Sequence, residues 1–387
     1  MGMIPDSEYK QRLKRIQAEM EVRNLDLIVG YSSENEPHHA RYLADFAPNF
    51  DFAGFLIPQR GEAALLTGGP ESIVYAKSIS KIRKILIHPF LLETSAPPYP
   101  ETAHLRFSHL IPQVTDVKKV RRVGLAGANI FPYNLYSDLT NTLKACEFIE
   151  ADDVLFKARM IKSKNEIALM QKASQITEKA IEAAINAVEA GRTEQEVEAH
   201  AKSTLFLNGA EGLAYPIWVC SGERTNQGLS RSTDKKLKKS ELIQLSIGCK
   251  YYGYCGNMCR PLTIGKPPKD ALKLMETGLE VENRILEAMR PGIPAAEVYN
   301  LFKEILTRHG FGKEATLYGP AHGTGLQECE GPWVDASSTY NIQPNMIFNV
   351  DIWLSKGKIG LRWEDGVAIT ESGGKELSSY RREIIGK

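Results

Sequence analysis

The chain has 387 residues, of which 43% are hydrophobic and 25% charged, with a formal net charge of +1. That composition belongs to a soluble globular protein long enough for two domains. The balanced charge gives no uniform field to attract nucleic acid or an acidic membrane, so neither is expected as a partner.

Met1–Lys10 is polar and lacks a signal-peptide core, and no apolar run reaches a membrane-spanning length, so a cytoplasmic location is expected. Periodicity predicts a helix over about Ser7 to Arg23, then a buried strand from Leu25 to Gly30. His38 and His39 read as loop residues. Strand signals follow at Ala53–Ile57, Ala63–Thr67 and Arg122–Leu125, with a proline-rich exposed connection at Ala96–Pro100. A boundary within Asp152–Ala158 divides the chain into residues 1–155 and 156–387. The next helix places Ile167, Met170, Ala173 and Ile176 on one core-facing stripe.

The second part repeats itself. Ala187, Gly191, Glu196, Val197, Lys202, Leu205 and Gly209 recur in the same order and spacing as Ala288, Gly292, Glu297, Val298, Lys303, Leu306 and Gly310. Each copy ends one helix at a glycine and starts another, and Thr193 with Glu196 makes a capping box in the first. The lysines of Lys235–Lys239 read as a solvated turn. The six cysteines cluster neither like zinc ligands nor like a disulfide scaffold, so free, buried thiols are expected, including Cys255 and Cys259.

Four segments carry candidate chemistry: Ile243–Leu262, Gly319–Leu326, Met346–Leu354 and Ile359–Thr370. His322 lies beside Gly323 and Gly325, which strip side chains from its surroundings and let a ligand approach. Asp351 sits between Val350 and Ile352 in an otherwise buried strand, where an unpaired charge is costly, so it needs a metal, a substrate cation or Arg362 beside it.

Together these segments resemble the pita-bread hydrolases, a family that includes prolidase, aminopeptidase P, methionine aminopeptidase and creatinase. The register Ser246-Ile247-Gly248, Gly253-Tyr254, Asn257 and Arg260 is similar to the family's Asp-Ile-Gly, Gly-Tyr, Asp and Thr-Arg strand motif. Ala321-His322-Gly323-Thr324-Gly325-Leu326 resembles its histidine motif, Val350-Asp351-Ile352 its Ile-Glu-Pro segment, and Arg362-Trp363-Glu364-Asp365 its Arg-x-Glu-Asp segment. The resemblance implies an α/β (α+β) fold of two domains, a small amino-terminal α/β domain followed by a pseudo-twofold catalytic domain with its site in the cleft between the halves. It also implies a homodimer in which residues near His38 and His39 approach the partner's cleft.

The metal-dependent members hold two divalent ions among carboxylates. Here Ser246 and Asn257 replace two of those aspartates, so no cofactor is expected, or at most one weakly held divalent ion on His322, Asp351 and Glu364. His322, Asp351 and Glu364 are the expected catalytic groups, with Ser246, Asn257, Arg362 and Glu330 binding a small-molecule substrate. Leu229 falls where creatinase carries its catalytic histidine, which argues against creatine itself. The leading expectation is a creatinase-like, metal-independent or weakly metal-dependent hydrolase of a carbon–nitrogen bond in a small, cationic nitrogenous substrate. The alternatives are a divergent Xaa-Pro dipeptidase or aminopeptidase using one divalent metal, and a catalytically silent cleft-binding protein.

Overall fold

The computed structural model describes residues 4–311 and 318–387; the first part of Met1–Lys10 therefore lies outside the described residues. The chain divides into Met1–Arg159 and Met160–Lys387. The first unit has helices α1 (Asp6–Val22), α2 (His38–Ala44), α3 (Pro70–Ile79), α4 (Phe107–Leu110) and α5 (Tyr133–Thr142), and α6 (Asp152–Met160) runs across the division. Its strands β1 (Leu27–Ser32), β2 (Ala53–Pro58), β3 (Ala64–Thr67), β4 (Lys84–Ile87), β5 (Arg122–Ala126) and β6 (Glu147–Glu150) form one sheet in the order β4-β3-β2-β1-β5-β6. The strand expected from Leu25 begins at Leu27, because Leu25 closes the end of α1 by a backbone bond to Met20. His38 and His39 are not loop residues: they open α2, both are buried, and Nε2 of His39 lies 2.8 Å from Oδ1 of Asp152. A helix start needs no special residue when its imidazoles are covered and partnered, so no local signal marked this one.

The second unit has helices α7 (Lys164–Ala187), α8 (Glu194–Leu207), α9 (Lys269–Ala288) and α10 (Ala295–Arg308). Its strands are β7 (Gly212–Leu213), β8 (Trp218–Ser221), β9 (Leu242–Tyr251), β10 (Tyr254–Thr263), β11 (Ala321–Gly323), β12 (Glu330–Val334), β13 (Ile347–Lys356), β14 (Ile359–Thr370), β15 (Gly373–Glu376) and β16 (Ile385–Gly386). They form a sheet with the path β12-β11-β13-β14-β10-β9-β7 and β8, β15 and β16 on its branches. No helix among the described residues is long and apolar enough to cross a membrane.

The sequence repeat is a structural one. Gly191 and Gly292 take the left-handed conformation at φ 91° and 88°, which turns α7 into α8 and α9 into α10 at matching places. The Thr193–Glu196 capping box is present, whereas Pro294 starts α10 without a side-chain cap. Each helix pair covers one half of the sheet. Met170, Ala173 and Ile176 of α7 are buried while Ile167 is only half-buried, because the chain's entry into α7 leaves its first turn at the edge of the core. Ala173 and Ile176 join Ile181, Leu205, Ile247 and Met258 in one core, and Leu274, Ile285, Phe302, Phe348 and Trp363 build the other. Two apolar helix layers leave the opposite face of the sheet for polar groups.

Candidate active site

Strand register explains why four distant residues become neighbours. Ser246 on β9 faces Cys259 on β10, Cys259 faces Glu364 on β14, and Glu364 faces Asp351 on β13. Directly opposed residues in antiparallel strands share a face, so these side chains form one row across the sheet. Asn257 and Arg362 stand two positions from Cys259 and Glu364 and point the same way. His322 enters from β11 opposite Asn349, itself two positions from Asp351. The alternate residues go to the helix side, where Arg260 and Asp365 pair at 2.9 Å with both side chains buried.

Asp351 has the partner its burial requires. Its Oδ2 accepts from the Tyr318 hydroxyl at 2.6 Å and lies 3.1 Å from Nη1 of Arg362, while Oδ1 has no partner. Arg362 also donates to the Gly228 carbonyl at 3.2 Å, so it holds Asp351 to the loop after β8. Glu364 lies deeper. The Cys259 Sγ is 3.0 Å from its Oε2 and 3.3 Å from Oγ of Ser246, and Oε1 is unpartnered. Burial first, then the charges of Asp351 and Glu328, push the Glu364 carboxyl well above the usual range. Burial and the neighbouring Glu364 likewise raise Cys259, and burial raises Cys255, so both remain thiols and neither acts as a nucleophile.

The surprise is Glu328, which no motif singled out. Its side chain is 24% exposed, and its Oε1 lies 3.7 Å from Nε2 of His322 and accepts from Nδ2 of Asn257 at 3.3 Å. Burial and Asp351 raise its carboxyl against the opposing pull of His322. Its position just past His322-Gly323-Thr324-Gly325 was the available signal; an acid so close to a glycine-flanked histidine is a ligand candidate in any register. Glu330, expected in the site, is engaged elsewhere. It makes an ion pair with Lys162 at 2.8 Å, each side chain 2% exposed. Gly325 permits this, because a Cβ there would meet Oε1 of Glu330 at 2.7 Å and Cε of Lys162 at 3.2 Å.

The grouping in the structure is not the same set of residues as the one the sequence suggested. Nε2 of His322 and carboxylate oxygens of Glu328 and Glu364 all lie within 4.8 Å of one another, a grouping that does not include Asp351. Asp351 is 3.9 Å from Nε2 of His322, but its nearer oxygen is committed to Tyr318 and Arg362. Nδ1 of His322 lies 3.0 Å from the Gly323 carbonyl. In a neutral imidazole Nδ1 then carries the hydrogen and Nε2 turns its lone pair toward Glu328 and Asp351. Ser246, fully buried behind Cys259, and Asn257, whose Oδ1 is unpartnered, add neutral polarity but no charge.

A pocket of about 290 Å³ opens on this cluster, lined by Glu328, Arg362, Tyr215, Trp218, Leu229 and Arg231 among others. Its size is at the lower end of small-molecule sites, which suits a ligand no larger than two residues.

Comparison with known proteins agrees with this architecture. Residues 168–371 match the model of metallopeptidase family M24, and residues 12–161 match that of the creatinase/prolidase N-terminal domain. The Xaa-Pro dipeptidase of Pyrococcus furiosus is 30% identical over 270 residues, 70% of this chain and 77% of the relative. The Xaa-Pro dipeptidase of Pyrococcus horikoshii is 31% identical over 255 residues, 66% and 72% of the two chains. Among solved structures, the prolidase of Pyrococcus horikoshii superimposes with a TM-score of 0.83 at 25% identity, covering 97% of this chain and all of the other. The fold is therefore the two-domain pita-bread fold, and the chain belongs to metallopeptidase family M24, hydrolases of carbon–nitrogen bonds.

Proposed function

We propose that this protein is a divergent dipeptidase that cleaves the carbon–nitrogen bond of a dipeptide-sized substrate with one divalent ion held by His322, Glu328 and Glu364. The carrying observation is the Nε2 lone pair of His322 facing carboxylates at 3.7 and 3.9 Å, too far for a hydrogen bond and unfavourable without a cation between them. Glu328, Asp351 and Glu364 against the single guanidinium of Arg362 leave a surplus of two negative charges when all three ionise, which one divalent ion neutralises. One imidazole and two carboxylates are a donor set for a single transition-metal ion, with the Gly323 carbonyl fixing the imidazole from behind. The donors do not fit two ions, since Ser246 and Asn257 are neutral and Asp351 is bound to Tyr318 and Arg362.

When bound, the ion supplies Lewis-acid polarisation of the scissile carbonyl and an activated water at neutral pH. The chain's own groups do the positioning. Arg362 offers its remaining N–H donors to a substrate carboxylate, and Oδ1 of Asp351 accepts from a substrate N–H. The relatives favour this reading over the creatinase-like one. A metal-independent hydrolase of a cationic amidine or guanidine remains the second reading, because the same negative surplus also suits an organic cation between Glu328 and Glu364. The proposal includes a homodimer, checked by light scattering at micromolar concentration. A cytoplasmic setting accords with free cysteines throughout.

Metal analysis with Xaa-Pro dipeptide hydrolysis tests the proposal. We expect one equivalent of manganese, cobalt or zinc per chain, activity lost in chelator and its return with metal. Full activity toward an amidine in chelator would overturn it in favour of the second reading.

A further inference from the structure

We infer that Glu194, a residue outside the cleft, is a positioning residue of this site and acts through Arg362. It clamps both ends of the loop from Ser221 to Thr233, and that loop carries the Gly228 carbonyl to which the Arg362 guanidinium is tied. The inference rests on the proposed function in giving Arg362 the substrate carboxylate. Glu194 is the first residue of α8 and is fully buried. A carboxylate there ordinarily serves the amino-terminal end of its own helix. Here it faces the loop instead. Its Oε1 accepts from the Ser221 amide at 2.9 Å and the Ser221 hydroxyl at 2.8 Å. Its Oε2 accepts from the Thr233 amide at 3.0 Å, the Thr233 hydroxyl at 2.8 Å and Nε of Arg224 at 3.2 Å.

Five donors fill the lone pairs of one carboxylate, so Glu194 keeps no acceptor for a ligand and acts only through the loop it holds. Arg224, anchored on Glu194, donates through Nη2 to the Arg231 carbonyl at 2.5 Å and to Oγ of Ser230 at 3.2 Å, which folds the far end of the loop onto its start. Between them, the Gly228 carbonyl accepts from Nη2 of Arg362 at 3.2 Å, while Nη1 of the same guanidinium lies 3.1 Å from Oδ2 of Asp351. The loop also meets β14 directly, where the Gly360 amide donates to Oγ1 of Thr225 at 3.2 Å. Charge-assisted bonds of this kind are strong and directional, so the place of the Gly228 carbonyl is inherited from Glu194. Glutamine keeps the shape of the side chain but turns one acceptor oxygen into an amide donor that confronts other donors. One end of the loop is then released.

Steady-state kinetics on the full-length protein compare an Xaa-Pro dipeptide with the same dipeptide amidated at its carboxylate, read as KM or, where it is not cleaved, as an inhibition constant. Glu194→Gln should raise KM for the acid about 10-fold and leave the amide's constant and the manganese affinity, measured by titration calorimetry, as in the parent. Thr233→Val removes one donor and should shift the acid's KM the same way by a smaller factor, which keeps the test open should Glu194→Gln not fold. In an Arg362→Lys background Glu194→Gln should add nothing further to the acid's KM. A merely structural role gives a loss of kcat shared by both substrates with KM unchanged. That result overturns the inference, as does an effect that adds to that of Arg362→Lys. Hydrogen exchange separates the clamp from the proposed function: Glu194→Gln should speed exchange across residues 221–233 and at Gly360 by about 10-fold while α8 keeps its protection. A parent protein that cleaves no dipeptide counts against the proposed function, and unchanged exchange in the variant overturns the clamp in either case.

Discussion

Buried histidines in the two units are treated in opposite ways. In the first unit two of them have a carboxylate at full hydrogen-bond distance: His39 with Asp152 at 2.8 Å and His88 with Asp138 at 2.9 Å. The acids are completed by backbone donors, Gly127 and Ala128 for Asp152 and Phe107 for Asp138. Burial alone would raise both carboxyls, but these bonds outweigh it and hold them below the ordinary value. In the second unit His322 has carboxylates at 3.7 and 3.9 Å, and Asp351 and Glu364 each keep one oxygen without a partner. The first arrangement is closed and stabilises a fold. The second leaves donor atoms unpartnered, as the proposed metal site requires, whereas a polar cluster that serves packing is satisfied within the fold.

The largest effect that distinguishes them is on turnover. His322→Ala should lower kcat/KM by about 100-fold or more while the melting temperature stays within a few degrees, measured by steady-state kinetics and calorimetry on the same preparation. Comparable activity in the variant would put His322 with the scaffold histidines.

A smaller effect separates the two possible ligand sets. Glu328→Gln should weaken manganese or cobalt binding by at least about 10-fold in titration calorimetry. An unchanged affinity would return the role to Asp351.

The smallest effect lies in the first unit, and its sign follows from protonation. Burial lowers the His88 pKa below the ordinary 6.5 despite the opposing pull of Asp138, so the folded chain keeps it neutral where the unfolded chain binds a proton. Its contribution is present above 6.5 and is lost as pH falls from there toward the lowered folded value. Denaturant melts of the whole chain should thus weaken on acidification below about 6.5, and His88→Asn should flatten that slope. The variant should cost about 1–3 kcal/mol at neutral pH without changing kcat/KM per folded molecule. A loss of turnover matched to that of His322→Ala would erase the contrast between the units.

Much of this was legible in the chain. The repeat from Ala187 and Ala288 located both helix pairs, because Gly191 and Gly292 take the positive φ with which each pair turns from one helix into the next. Strand alternation puts Glu364 and Asp365 on opposite faces, and the glycines around His322 pointed to an approachable imidazole. The buried charge of Asp351 called for a partner, and Arg362 was among those named. Other features were not legible. Glu328 and Glu330 are both acids beside a candidate histidine, and only the packing of Lys162 against Gly325 decided that Glu330 was satisfied and Glu328 available. The burial of His38 and His39 depended equally on what lay above them.

By itself the sequence determined the faces, since a period of two assigns each strand residue to one side of a sheet and a period near four assigns each helix its buried stripe. It also determined the family and the loss of charge at Ser246 and Asn257. Only the tertiary structure decided which residues on a shared face became neighbours. Cys259 and Glu364 are separated by 105 positions and lie 3.0 Å apart, a distance set by strand order and register. Those depend on how two helix layers pack over the whole sheet, and no local pattern encodes that sum.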